Sequence, residues 1–259
     1  MSLFFTRPDR YFHLGAFPVP EVKQIQIGGA PEFLKPLRVL FLSDVHLRPG
    51  VSNERLTALM ELIASQGADL ILLGGDYAES REDCLRFFEA FRGIHAPLGA
   101  FAVPGNNDKA SMPTLQSTMA RAGVTLLNNR SITLAYNGGR IHIGGCDDHK
   151  YGSPCTGSLF PDGQDGYRIL ISHWPVQPDC ACELMLSGHT HAGQFNILGI
   201  TPYSVLFERK FRLLGVKGVQ RIGDMRLLIS SGIGVSRIPL RIGARPQIYL
   251  LNFVMEELC

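Results

Sequence analysis

An α/β fold is expected from three features of the sequence. Short apolar runs end abruptly in polar, glycine-rich sequence: "RVLFL" runs into "SDVH", "ADLILL" into "GGDY", "GAFAV" into "PGNND", "RIHIG" into "GCDDH", "YRILI" into "SHWP" and "ELMLS" into "GHTH". Runs this short, rich in Val, Ile, Leu and Phe and without a polar face, suit strands buried on both sides. Stretches with helical periodicity separate the first three runs, and strand alternating with helix implies parallel pairing. The later part of the chain holds more strands than helices, since little helix lies between "GYRILISH", "RLLISSG" and "PQIYLLNF". A mixed second sheet packed against the first is therefore expected.

Between "RVLFL" and "ADLILL", Leu56, Leu59, Met60 and Ile63 fall at i, i+3, i+4 and i+7, one apolar stripe of a helix. After "GGDY", the "SRED" at residues 80–83 reads as a capping box, and Cys84, Phe87, Phe88 and Phe91 repeat the helical spacing. A third helix is expected over residues 113–122, with Pro113 in its first turn and Gly123 past its end. All three stripes face a core. No repeat, low-complexity segment or linker divides the chain. Residues 1–21 read as an N-terminal arm and 22–259 as one domain.

A length of 259 residues is enough for one large domain with a substantial core. Hydrophobic residues make up 45% and charged residues 19%, with a formal net charge of +2, values close to globular averages. That balance gives no reason to expect specific nucleic-acid binding. The start, "SLFFTRPDRYFHLGAF", has charges at Arg7, Asp9 and Arg10 and no run long enough for a signal-peptide core. Nothing later approaches the roughly 18 apolar residues of a membrane span. A soluble, unexported, cytoplasmic protein is expected. The six cysteines show no CxxC pair and read as reduced thiols, Cys180 and Cys182 included.

In open α/β sheets, ligands bind outside the carboxyl ends of the strands. Here those ends bear Asp44 and His46, Asp76, Asn106, His173, and His189 with His191. Asp44, Asp76 and Asn106 are about 30 residues apart, roughly one βαβ unit, so successive units deliver them to one rim. Asp44 and His46 are two apart, as are His189 and His191, and in extended backbone such pairs project to one side. Alone, a strand-end His or a Gly-Asp pair is ordinary structure. Five such motifs on one rim indicate a metal site. Three side-chain oxygen donors and four imidazoles exceed the needs of one ion and suit two first-row divalent ions. Ions about 3.5–4 Å apart clamp both the attacking and the leaving oxygen of a phosphoryl displacement.

The ordered set "SDVH", "GGD", "GNND", "SH" and "SGHTH" resembles the calcineurin-like metallophosphoesterase family, and "SSGIGVSRIPLRIGARPQIYLLNF" resembles its bacterial YkuE/YaeI-like branch. The likeness runs in order from residue 22 to residue 253. It implies a four-layer αββα sandwich of two mixed sheets, with a dinuclear centre at the strand C-terminal ends. Carried over by position, Asp44, His46 and His191 hold one metal, and Asn106, His173 and His189 the other. Asp76 bridges both, together with a water or hydroxide that is the expected nucleophile. Gly188, Thr190 and Gly193 shape the loop. Manganese, iron, zinc and cobalt all tolerate such ligands.

Asn107 departs from the family pattern, in which Gly-Asn-His-Asp places a histidine that contacts phosphate and protonates the leaving group. An asparagine can donate a hydrogen bond to phosphate but cannot transfer a proton. Either the substrate has a good leaving group, such as the phosphate of a pyrophosphate, or another group donates. His149 in "CDDHK" is the candidate donor, against a structural role that weighs more. Asp147 and Asp148 read as supporting residues, substrate-facing residues or a solvated turn. The basic stretch at residues 207–221, with Arg209, Lys210, Arg212, Lys217 and Arg221, admits an anionic substrate, an anionic membrane surface on the inner face, or a solvated strand pair. The expected activity is hydrolysis of phosphodiester or pyrophosphate bonds in a small substrate, a lipid-linked nucleotide such as UDP-diacylglucosamine among them. The alternative is a scaffold that keeps the fold and binds a protein in the cleft.

Overall fold

The computed structural model describes residues 12–14, 17–160, 163, 165–198, 200–201, 210, 212–236 and 238–255. Along the chain come β1 (Phe12–Leu14), β2 (Glu21–Ile27), β3 (Arg38–Leu42), α1 (Asn53–Ser65), β4 (Leu70–Leu73), α2 (Arg81–Phe91), β5 (Ala100–Ala102), α3 (Met112–Arg121) and β6 (Val124–Leu126). Then follow β7 (Arg130–Tyr136), β8 (Gly139–Gly145), β9 (Tyr167–Ile171), β10 (Leu184–Ser187), β11 (Gly218–Ile222), β12 (Met225–Ile229), β13 (Leu240–Ile242) and β14 (Gln247–Phe253).

The three expected helices form where their stripes and caps place them. Ser52 caps α1, its hydroxyl accepting from the Arg55 N–H at 3.4 Å. Ser80 caps α2 in the same way, accepting from the Asp83 N–H at 3.1 Å. Pro113 sits in the first turn of α3, and Gly123 follows the helix in left-handed backbone at φ +75°. Leu56, Leu59, Met60 and Ile63 of α1, Phe87, Phe88 and Phe91 of α2, and Leu115 and Met119 of α3 pack on Leu40, Leu42, Ile71 and Leu73 of the strands.

Val39 and Phe41, alternating with Leu40 and Leu42 along β3, point to the other face and enter a second core. This two-sided burial is why the runs show no polar face. There Val39, Phe41, Leu70 and Leu72 meet Ile141, Ile143, Ile169, Ile171, Leu184, Leu186 and Leu228 from a second sheet. Full burial of each such side chain contributes about 1.5–3 kcal/mol. A third core, with Leu170, Met185, Leu227 and Ile229 beneath Leu159, Phe160 and Cys182, covers the outer face of that sheet. The architecture is α/β, two stacked mixed sheets with helices.

The first sheet has the order β2-β14-β3-β4-β5-β6 and the second β11-β12-β10-β9-β8-β7. β14, the "PQIYLLNF" strand grouped by sequence with the later strands, instead enters the first sheet, antiparallel to β3 and parallel to β2. An apolar run marks a strand but not its partner, and this pairing spans nearly the whole chain. A hairpin of β7 and β8 also joins the second sheet, turned by Asn137 and Gly138 at φ +45° and +80°. Asn-Gly is a strong signal for such a turn. β1 pairs with β13 as a separate ribbon, and residues 1–11 and 15–16 of the N-terminal arm lie outside the described residues. Cys84, Cys146, Cys155, Cys180 and Cys182 are free thiols, while Cys259 lies outside the described residues. Among the described residues no helix is long and apolar enough to cross a membrane.

Candidate metal centre

β3, β4 and β5 run parallel, so the loops that follow them start on one rim. The ends of β9 and β10 reach the same rim: His173 Nδ1 lies 2.7 Å from the Gly74 carbonyl, and the His189 N–H donates to Asp44 Oδ1 at 3.0 Å. The backbone there is not the extended form expected from the i, i+2 spacing. Asp44, His46, Asp76, His189 and His191 have φ between +46° and +70°. Each residue in that region costs on the order of 1–3 kcal/mol, strain typical of functional sites. The kinked loops remain paired through Asp44 N–H to Gly75 O, 2.9 Å, and His46 N–H to Asp76 O, 3.0 Å. Two glycines permit the approach: a Cβ on Gly105 would overlap Asp76 Oδ1, and one on Gly188 would overlap Asp44 Oδ2.

Asp44, His46 and His191 form one group whose ligand atoms all lie within 4.8 Å of one another, and Asp44, Asp76 and His173 form a second. All five residues are buried. His46 Nε2 is 3.0 Å from His191 Nε2, and His191 Nε2 is 3.5 Å from Asp44 Oδ1. Asp76 Oδ2 is equidistant from two imidazoles, 3.4 Å from His46 Nε2 and 3.4 Å from His173 Nε2. Neighbouring ligand atoms on an ion bound at about 2.1 Å stand roughly 3.0–3.5 Å apart, so this spacing fits divalent coordination.

The donor chemistry fits as well. Gly74 O can only accept, so His173 keeps a proton on Nδ1, which leaves Nε2, facing the Asp76 carboxylate, as the ring atom that either a proton or a metal ion can occupy. His173 Nε2 and Asn106 Oδ1 are buried and have no hydrogen-bond partner among the described residues. Glu79 Oε1 accepts from His46 Nδ1 at 2.6 Å and likewise turns His46 Nε2 inward. Lone pairs and carboxylate oxygens gathered in a buried site are unfavourable without a proton or a metal cation between them.

The electrostatics show the same deficit of positive charge. Burial opposes ionisation of Asp76, but His173 and His46 outweigh it and hold its carboxyl well below the usual range. Asp44 has less such help, and burial pushes it up. Burial would lower His173, yet Asp76, Asp44 and the Gly74 carbonyl push it up to about 10. His46 is raised too, by Glu79, Asp76 and Asp44 against burial. His189 and His191 are driven well below the ordinary imidazole value, first by burial and then by neighbouring positive charge.

His189 stands beside His173, ring centroids 5.2 Å apart, and stacks on Trp174 at 3.7 Å. Asn107 turns inward: its N–H donates to Asp76 Oδ1 at 2.8 Å, and its Nδ2 lies 3.1 Å from His46 Nδ1 and 3.3 Å from Glu79 Oε1. His149 is half-buried, its Nε2 3.5 Å from Ser172 Oγ and 3.9 Å from Cys146 Sγ, and burial lowers its pKa. Asp148 is buried and accepts from Trp174 Nε1 at 3.1 Å, which fixes the ring under His189. Asp147 caps its own loop through the N–H groups of Asp148 and Ser153.

Sequence reasoning missed three supports. Glu79 orients His46. Asp108 accepts from the N–H groups of Asp76, Tyr77 and Gly105 at 2.8, 3.0 and 2.8 Å and ties the "GGDY" loop to the "GNND" loop. Burial, with the charge on Asp76, pushes Asp108 up to about 7 even so. Arg241 is fully buried; it donates to Ser231 O at 2.8 Å and to Gly234 O, and its Nη2 lies 3.2 Å from His191 Nδ1. No local pattern marks Glu79 or Arg241, because each acts on a distant segment, whereas Asp108 closes the "GNND" motif and its role across to the "GGDY" loop is not local.

Known proteins are similar to this chain in sequence. The family described as calcineurin-like phosphoesterase matches residues 37–193. YpbG of Bacillus subtilis, described as an uncharacterized protein, is 29% identical over 264 residues, covering 99% of this chain and 92% of its own. Phosphodiesterase YaeI of Escherichia coli is 29% identical over 236 residues, covering 85% of this chain and 83% of its own. The metallophosphoesterase YkuE of Bacillus subtilis is 28% identical over 230 residues, covering 84% and 79% respectively. The family match begins just before β3 and ends two residues past His191, taking in every motif of the rim, and the chain belongs to the calcineurin-like phosphoesterase family.

Proposed function

We propose that the chain is a dinuclear metal-dependent hydrolase of phosphodiester or pyrophosphate bonds. In this reading Asp44, His46 and His191 hold one ion, Asn106, His173 and His189 hold the other, and Asp76 is shared. The observation that supports it most is the pair of buried atoms without a hydrogen-bond partner among the described residues, His173 Nε2 and Asn106 Oδ1, beside a carboxylate set equally between His46 and His173. When bound, the two ions supply Lewis acidity and an activated water at neutral pH. The protein supplies the rest: Glu79 and Gly74 O fix the ring orientations, Trp174 supports His189, and burial excludes bulk water. The description of YaeI as a phosphodiesterase supports the diester reading.

Asn107 holds no transferable proton, and its amide is directed at His46 and Glu79. The favoured substrates are therefore those whose leaving group departs unprotonated, as in pyrophosphates, lipid-linked nucleotides included. The test is a screen of the manganese-, iron-, zinc- or cobalt-loaded protein on bis-p-nitrophenyl phosphate, p-nitrophenyl phosphate and a nucleotide pyrophosphate. Turnover of the diester or the pyrophosphate, abolished by chelation and restored by metal, is expected. Asp76→Ala is expected to lower the occupancy of both ions by elemental analysis. Absence of turnover with every metal would leave the protein-binding scaffold as the better reading.

A further inference from the structure

Beside the metal centre, between the β2–β14 edge of the first sheet and the start of β11 in the second, lies a cavity of about 420 Å³. Three cations line it from three separate parts of the chain: Lys23 in β2, Lys217 just before β11 and Arg245 just before β14. Ser231 and Gln247 add polar groups, and Ala192, the residue after His191, forms part of the wall. Arg245 is paired with Glu21 at 3.3 Å. Among the described residues neither Lys23 nor Lys217 has an ion-pair partner. Of the basic stretch at residues 207–221, residues 207–209 and 211 lie outside the described residues, and Lys217 is the one that reaches this cavity. Like charges converging on one concave space repel unless an anion joins them.

The cavity adjoins the metal-ligand cluster through shared structure. The Ser231 carbonyl accepts from Arg241 Nη1 at 2.8 Å, and Nη2 of the same guanidinium lies 3.2 Å from His191 Nδ1. Gly232 follows Ser231, and a Cβ there would stand 2.6 Å from that of Asp44. The cavity thus lies at the same end of the sheets as the metal-ligand cluster, with the buried Arg241 and the His191 loop between them.

We propose that this cavity binds a second phosphoryl group of the substrate, remote from the bond that is broken. The proposal rests on the metal-centre reading above and narrows its substrate class to phosphoesters that bear a further phosphate. Lysines that touch only the remote group bind ground state and transition state alike, so their loss raises KM and leaves kcat.

The test has a binding arm that needs no turnover. Inorganic phosphate is titrated by calorimetry into the full chain, metal-loaded and chelated, for wild type and the double variant Lys23→Ala/Lys217→Ala. Both lysines are exposed and outside the cores, so the variant keeps its fold. One phosphate site is expected to survive chelation in wild type and to disappear in the variant. Loss of all phosphate binding on chelation, or its retention in the variant, overturns the proposal. The kinetic arm compares the p-nitrophenyl ester of thymidine 5′-phosphate with and without a 3′-phosphate. The variant is expected to raise KM about tenfold or more for the 3′-phosphorylated ester alone, the loss of a charge-assisted contact, with kcat unchanged. Equal KM values on both esters, with loss of binding to phosphatidylglycerol vesicles, overturns it in favour of a membrane contact. Wild type that binds phosphate after chelation yet hydrolyses neither ester supports the cavity and refutes the hydrolase reading.

Discussion

His46 is oriented by Glu79 on one ring nitrogen, while its other nitrogen faces Asp76 and His191. Glu79→Ala removes that orientation and is expected to weaken metal binding about 10–100-fold, the usual scale for a residue that supports a ligand. Glu79→Gln is expected to do less, because its amide oxygen still accepts the Nδ1 proton; competition with a chelating dye measures both. In the proposed reaction Asn107 sets the sensitivity to leaving group. A general acid contributes about 10²–10⁴-fold, so alkyl phosphoesters are expected to be cleaved more slowly than p-nitrophenyl esters by that margin. Asn107→His is expected to narrow the gap by raising kcat on the alkyl substrates. A plot of log kcat/KM against leaving-group pKa tests this, and a shallow wild-type slope that steepens in His149→Ala would assign the proton to His149 instead. The candidate ligands were legible because each ends an apolar run, as Asp44 ends "RVLFL" and His173 ends "YRILI". Their left-handed backbone was not, since residue spacing reports which side a chain segment faces and not its φ. Glu79 and Arg241 stayed hidden because their partners, His46 and His191, lie 33 and 50 positions away.

At the scale of elements, α2 offers a change that touches stability alone. Ser80→Ala deletes the side-chain cap and is expected to cost about 1 kcal/mol, with metal content and turnover unchanged; a lower midpoint in denaturant at constant slope checks it. The helices were legible to within a residue or two, because caps and stripes are local. Strand membership was harder. β14 reads as a strand from "QIYLLNF" alone, but its place between β2 and β3 depends on chain more than 200 residues away. β8 is marked by the run "RIHIG", whereas β7, half of which faces outward, lacks such a run and is announced by the Asn-Gly turn.

For the molecule as a whole, the proposed centre is expected to couple metal loading to stability. In the chelated protein, His173 holds a proton because Asp76, Asp44 and the Gly74 carbonyl push it up to about 10, against burial, from an ordinary 6.5. That contribution to stability is fully present below pH 6.5 and is lost as pH rises from 6.5 toward 10. Bound ions take the place of the proton, so the Tm of chelated protein is expected to fall across this window more steeply than that of loaded protein. Thermal scans of both forms at several pH values test this, and parallel curves would refute it. The position of β14 has a consequence for biosynthesis. Among the described residues β2, near the start of the sequence, has only β14 as a neighbour in its sheet, and β3 meets β14 along its other edge. Until β14 has emerged from the ribosome, β2 has no strand to join and one side of β3 is open, a state prone to aggregation. The sheet beneath Asp44 and Asp76 therefore closes only once residues 247–253 are free to pair, and a nascent chain stalled before residue 247 carries the candidate metal ligands already synthesised but the sheet that positions them incomplete.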